Sequence, residues 1–162
     1  MKVINSIQKK EGFTLIELLI SVTVLGILSV IGLASYVDYS REAALESARA
    51  SLKSTLYDAR SRALSQKKPA SCTNASEELK GFRVVIWEED YKMQVVCNVN
   101  RDIFAFKKYG INIRKSDPTT NVNVFFPILT GAAGNDYSIT LESFGKTKKI
   151  IVNKAGTIKD EE

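Results

Sequence analysis

Histidine is absent from this chain of 162 residues, and with it the commonest general base and the commonest metal ligand. No Ser–His or Cys–His nucleophile can be built, and nothing resembles a phosphate-binding loop. Two cysteines, Cys72 and Cys97, are too few and too far apart for a zinc site, which draws four ligands. No enzyme, cofactor or metal is expected. Proline is scarce too. The first of three is Pro69, so the preceding chain carries no proline break. Nor is the charge strongly one-sided. The net +5 hints at an acidic partner such as nucleic acid, but without Lys2, Lys9, Lys10 and Glu11 of the first twelve residues it drops to +3.

What the chain does have is concentrated at one end. Residues 18–37, LLISVTVLGILSVIGLASYV, hold twenty positions without a charge, enough in helix to match the roughly 30 Å hydrocarbon core of a bilayer. The apolar run begins at Phe13 and only Glu17 interrupts it. Lys9 and Lys10 lie just before it, while Asp38, Arg41 and Glu42 follow with no cationic excess. The positive-inside tendency therefore keeps the N-terminus cytoplasmic and sends the chain beyond about residue 38 across the membrane. A secretory signal peptide fits poorly. Its apolar core runs about 7–15 residues, ahead of a small-residue cleavage site that GLASYV does not supply. A plain single-pass anchor is the simpler alternative, yet it gives no reason for the GFTLIE sequence.

Glu17 separates these readings. A carboxylate near the start of a membrane helix costs on the order of 2.5–3.5 kcal/mol on insertion scales, and no Lys or Arg lies within helical reach. A cut after Gly12 would give Phe13 a free amine, about 6 Å up-axis in the same helix. A staggered neighbouring helix would bring its amine to this Glu17 and make the residue an inter-subunit register device. The bland alternative is a carboxylate that snorkels to the headgroups.

KKEGFTLIELLI resembles the leader junction of type IV prepilins and type II secretion pseudopilins: a basic leader ending in Gly, then Phe, then Glu four residues on. The resemblance implies cleavage between Gly12 and Phe13 by prepilin peptidase, N-methylation of Phe13 by the same enzyme, and assembly through Glu17. The implied partners are other pilin or pseudopilin subunits, an inner-membrane assembly platform, and membrane lipid before assembly. The implied place is the bacterial cytoplasmic membrane, and after assembly a periplasmic or cell-surface filament. One departure is the missing proline in the second half of the segment, where Gly26 and Gly32 are the only weak helix points, about 1 kcal/mol each relative to Ala.

The helical pattern continues past the membrane. Leu45, Ala48, Leu52, Leu56, Ala59 and Ala63 form one apolar stripe at a period near 3.6, and charged residues take the other faces. The stripe lacks the sustained heptads of a coiled coil, so packing on the chain's own sheet is expected. The stop is expected around Gln66, ahead of KKPASCTNAS. Beyond residue 79 the pattern is of strands: Phe82–Trp87 and Met93–Cys97 as a hairpin, then Ile103–Phe106, Ile111–Arg114 and Val122–Phe126. Tyr137–Leu141 and Lys149–Val152, around SFGKTK, make a second hairpin. The expected class is α+β, a long N-terminal helix packed on a C-terminal antiparallel β-sheet head. The divisions are 1–12 leader, 13–37 transmembrane or filament-core helix, 38–66 amphipathic helix, and 67–162 β-rich head. ARSRAL, VFF, YSITL, KKIIVN and KAGTIK resemble the H-type minor pseudopilin and FimT-like (GspH/FimT) branch.

Cys72 and Cys97 fall in a compartment where disulfides persist. A bridge would add roughly 3 kcal/mol; two free thiols are the alternative. Glu88, Glu89 and Asp90 read as a solvated hairpin tip. TGAAGND at 130–136 reads as a flexible loop, and Asn135 with Asp136 falls short of the six or more oxygens that Ca²⁺ wants. Lys146, Lys148, Lys149, Lys154 and Lys159 run along the last hairpin. They are solvated lysines or, on the second reading, a DNA footprint, since non-specific binding needs only cations near phosphates. Two functions follow from different classes: a filament subunit, or a head carrying a DNA-uptake or adhesive surface on a helix that only anchors it.

Overall fold

Leu15 to Ser65 form one helix, α1, of 51 residues, as a stretch with no proline and many Leu and Ala residues should. The structure is a computed structural model describing residues 12–70, 72, 78–87, 90–98, 100–105, 112–115 and 121–161, without the side chains of 30–32, 34, 101, 102, 104, 105 and 112–115. Gln66 ends the helix with a φ of 55°, the left-handed conformation common just past a helix C-terminus. The break lies at the residue where the sequence pattern stops. Contacts divide the chain into two units, Met1–Ser40 and Arg41–Glu162.

In the second unit, Leu45, Ala48, Leu52, Leu56, Ala59 and Ala63 are all buried, so the predicted stripe is the face the helix gives to the core. Among the described residues, eight strands complete the unit. They are β1 (Gly81–Ile86), β2 (Tyr91–Val96), β3 (Asn100–Ala105), β4 (Asn112–Lys115), β5 (Val122–Pro127), β6 (Tyr137–Ser143), β7 (Lys146–Val152) and β8 (Ile158–Glu161). Every predicted strand has a counterpart within a few residues; Phe106 and Ile111 lie outside the described positions. β8 was not predicted as a strand. Its short IKDE sequence has one apolar residue to bury, too little for a period-2 signal.

The strands form two four-stranded sheets, β3-β2-β1-β5 and β4-β6-β7-β8, with every pairing antiparallel. The chain therefore crosses to the second sheet for β4, returns for β5, and crosses again. Alternation along each strand selects its inner face. Phe82, Val84 and Ile86 of β1, Met93 and Val95 of β2, Val124 and Phe126 of β5, Ile139 and Leu141 of β6, and Ile150 and Val152 of β7 share one apolar cluster with the α1 stripe. This is an α+β, pilin-like head.

Polar ties hold the helix to the strands. Ser51 and Tyr91 hydroxyls lie 2.7 Å apart, Tyr57 donates to the Ile158 carbonyl at 3.0 Å, and Lys53 pairs with Asp160. Arg60 Nε donates to the Gly131 carbonyl at 3.2 Å. The 130–136 loop, expected to be flexible, is held by that bond and by Asp136 Oδ1, which accepts the Lys154 backbone N–H at 2.7 Å. A Cβ at Gly156 would run into the Gly131 carbonyl oxygen, so only glycine lets the β7–β8 turn approach this loop.

Candidate assembly site

The first unit contains the N-terminal part of α1. Phe13, Leu15, Ile16, Leu18, Leu19, Ile20, Val22, Val24, Leu25, Ile27 and Leu28 are all exposed. Soluble monomers rarely show a contiguous apolar surface of this kind. The polar residues among them do not interrupt it, because their hydrogen bonds stay inside the helix. Ser21 returns its hydroxyl to the Glu17 carbonyl at 2.7 Å, Thr23 to Ile20 at 2.8 Å and Ser29 to Leu25 at 2.7 Å. Such back-bonding lets a hydroxyl sit in an apolar layer without an unsatisfied donor. Among the described residues no helix is long and apolar enough to cross a membrane. The described run of side chains stops at Ser29, short of the twenty uncharged positions that the sequence holds at 18–37.

Gly12, Phe13 and Thr14 precede the helix. The Gly12–Phe13 peptide bond therefore lies in non-helical backbone, and a Cβ at Gly12 would meet no described atom. Glu17 sits one turn on and does have a partner within its own chain, which the sequence reading missed. Its carboxylate accepts the Thr14 backbone N–H at 3.0 Å and the Thr14 hydroxyl at 2.9 Å, while Thr14 Oγ1 accepts the Glu17 N–H at 3.3 Å. This is a capping box with Thr14 as N-cap and Glu17 at N3. The T-x-x-E spacing of residues 14–17 is its signal in the sequence. Thr14 is neutral, so the box gives Glu17 hydrogen bonds but no ion pair.

Cys72 and Cys97 are bonded to one another, with Cα atoms 6.4 Å apart, and both are buried in the apolar cluster. Glu88 and Glu89 of the acidic turn lie outside the described residues. The five lysines do not share a face. Lys146 and Lys148 alternate with Ile150 and Val152 on one side of β7, and Lys149 is on the other. Lys154 lies in the β7–β8 turn, and Lys159 lies on the face of β8 opposite Ile158 and Asp160. Lys146 donates to Glu42 at 2.9 Å, holding that carboxyl below the ordinary carboxylate range, and Lys149 pairs with Glu161. The five are therefore divided between the two faces of the strands and the β7–β8 turn, and two of them face carboxylates.

The comparisons agree with this anatomy. Residues 7–33 match the family model described as the prokaryotic N-terminal methylation motif. The structure is similar to the crystal structure of the type IV minor pilin FimU from Pseudomonas aeruginosa, with a TM-score of 0.51 and 14% identity over 75% of this chain and 92% of that one. No curated protein is similar enough to match the chain. The motif match is confined to residues 7–33, and the structural likeness shows that the chain has a pilin-type fold.

Proposed function

We propose that the chain is a structural subunit, of the minor pilin or pseudopilin kind, of an extracytoplasmic filament. Residues 18–37 hold the precursor in the cytoplasmic membrane with the N-terminus inside. Prepilin peptidase cuts after Gly12 and methylates Phe13, and an assembly platform then draws the subunit into the filament. One observation carries the reading: over residues 13–29 the helix start is exposed and apolar, and its carboxylate, Glu17, lies four residues after the residue that cleavage makes N-terminal. Lipid covers that surface before assembly and neighbouring helices cover it afterwards. The spaced resemblance of residues 52–159 to the GspH/FimT-like branch and the pilin-type fold both support a subunit of this kind, in a pilus or in a secretion filament.

Within the polymer, Glu17 exchanges the Thr14 hydrogen bonds for a neighbour's Phe13 amine. Removing one partner of such a buried pair costs about 3–5 kcal/mol. Glu17→Leu should therefore be cleaved and inserted normally but enter filaments poorly. Crosslinking between subunits is the measurement, and mass spectrometry of the mature chain, beginning at methylated Phe13, is the control. Wild-type incorporation of Glu17→Leu, or filaments built from uncut chains, would overturn the proposal.

A further inference from the structure

The two-residue turn between β6 and β7 holds a side chain that its geometry does not ask for. Ser143 pairs with Lys146, so Phe144 and Gly145 alone make the connection, at φ 49° and 79°. Two positive φ values mark a type I′ turn, whose first position favours Asn, Asp or Gly. A bulky aromatic resists that left-handed conformation, so turn formation does not explain Phe144. The core does not explain it either, because Phe144 is 72% exposed.

Around it stand three cations and one carboxylate, Glu42. The Arg41 guanidinium stands 4.2 Å from the centre of the Phe144 ring, Lys146 pairs with Glu42, and Lys148 also acts on Glu42. The turn thus lies against the first residues of the second unit. In the sequence, Arg41 follows Val37, the last of the twenty uncharged positions, by four residues, a helical rise of about 6 Å. Aromatic rings settle at the headgroup level of bilayers.

We propose that the β6–β7 turn is a lipid contact: before assembly, Phe144 rests in the headgroup layer of an anionic bilayer, with Arg41 and Lys148 turned to lipid phosphates. The inference rests on residues 18–37 spanning the membrane. A lipid surface suits this site better than a second copy of the chain, because an exposed ring flanked by Arg and Lys stems matches an interface that is apolar below and anionic above. In the filament the same turn would be freed from lipid, so the contact belongs to the membrane-held subunit.

Trp87 is the sole tryptophan, which permits a direct test on the full chain. Phe144→Trp and Leu25→Trp are each made on a Trp87→Phe background, checked for fold by circular dichroism, and placed in phosphatidylethanolamine–phosphatidylglycerol vesicles. Lipids brominated near the headgroup should quench the indole placed at position 144. Lipids brominated deep in the acyl chain should quench the indole placed at position 25. Quenching at 25 without quenching at 144 overturns the turn's lipid contact and leaves the membrane span intact. Quenching at neither position overturns the span and the contact with it. Emission from position 144 that lipid does not quench, but that shifts with protein density in the vesicle, would assign the site to a second copy and overturn the lipid assignment.

Discussion

One helix contains two different solutions to the same problem. From Leu15 to Ser40, α1 is apolar on nearly every side, and Leu25 is 63% exposed; from Arg41 to Ser65 it is apolar along one stripe, and Leu52 is 0% exposed. Both parts use good helix formers, and propensity does not distinguish them. The difference lies in what completes each one. The stripe is matched by two sheets of the same chain, whereas an all-round apolar helix needs lipid or another protein. Exposed apolar area in the first part is therefore a requirement for a partner, and buried area in the second is stability of the head.

The sharpest way to break that comparison is to truncate one leucine in each part. Leu52→Ala should destabilise the head by about 2–5 kcal/mol through lost burial and a cavity, read by urea unfolding of residues 38–162 against the same variant in the full chain. Leu25→Ala should leave head stability unchanged and affect only insertion or assembly. Equal losses from both would mean that the two parts fold as one cooperative body.

The disulfide comes next. Reducing Cys72–Cys97 releases a link across a sequence separation of 25, and head stability should fall by roughly 3 kcal/mol. Unfolding with and without reductant measures it, and alkylation followed by mass spectrometry tests the pairing in protein taken from the periplasm or cell surface. The apolar part of α1 should not respond.

Gly156→Ala is a smaller perturbation confined to the head. At φ 80°, with the Gly131 carbonyl in the way, alanine carries backbone strain on the order of 1–3 kcal/mol and must push the 130–136 loop aside. Thermal unfolding, with loss of hydrogen-exchange protection at the Lys154 amide, reports both effects.

The smallest effect is electrostatic. The hydrogen bond from Lys53 holds the Asp160 carboxyl below its ordinary range, against the opposing effect of burial and with help from Arg49. A carboxyl with a depressed folded-state pKa stabilises the fold above the unfolded value, and the contribution is lost as pH falls through the folded one. Head stability should therefore decline below about pH 4. Asp160→Asn should flatten that decline by less than about 1 kcal/mol, since the pair is near the surface. An unchanged acid limb in the variant would remove Asp160 from the account.

The sequence alone was enough for whatever depends on local spacing. The 3.6-period stripe of six residues and both hairpins are short-range patterns, set by helix and strand geometry within a few residues. The capping box at Thr14–Glu17 was equally local and was overlooked because its chemistry is a hydrogen bond rather than an ion pair. Tertiary structure alone decided the rest. The lysines of the last hairpin look like one patch until strand pairing sets Glu161 beside Lys149 and the fold brings Glu42 to Lys146. The division into two sheets, with β5 beside β1 and β4 beside β6, depends on pairings between residues about 40 positions apart in the first case and about 30 in the second. Several short apolar strands could satisfy the same local pattern, and only the shared burial of their inner faces against one helix stripe selects among them.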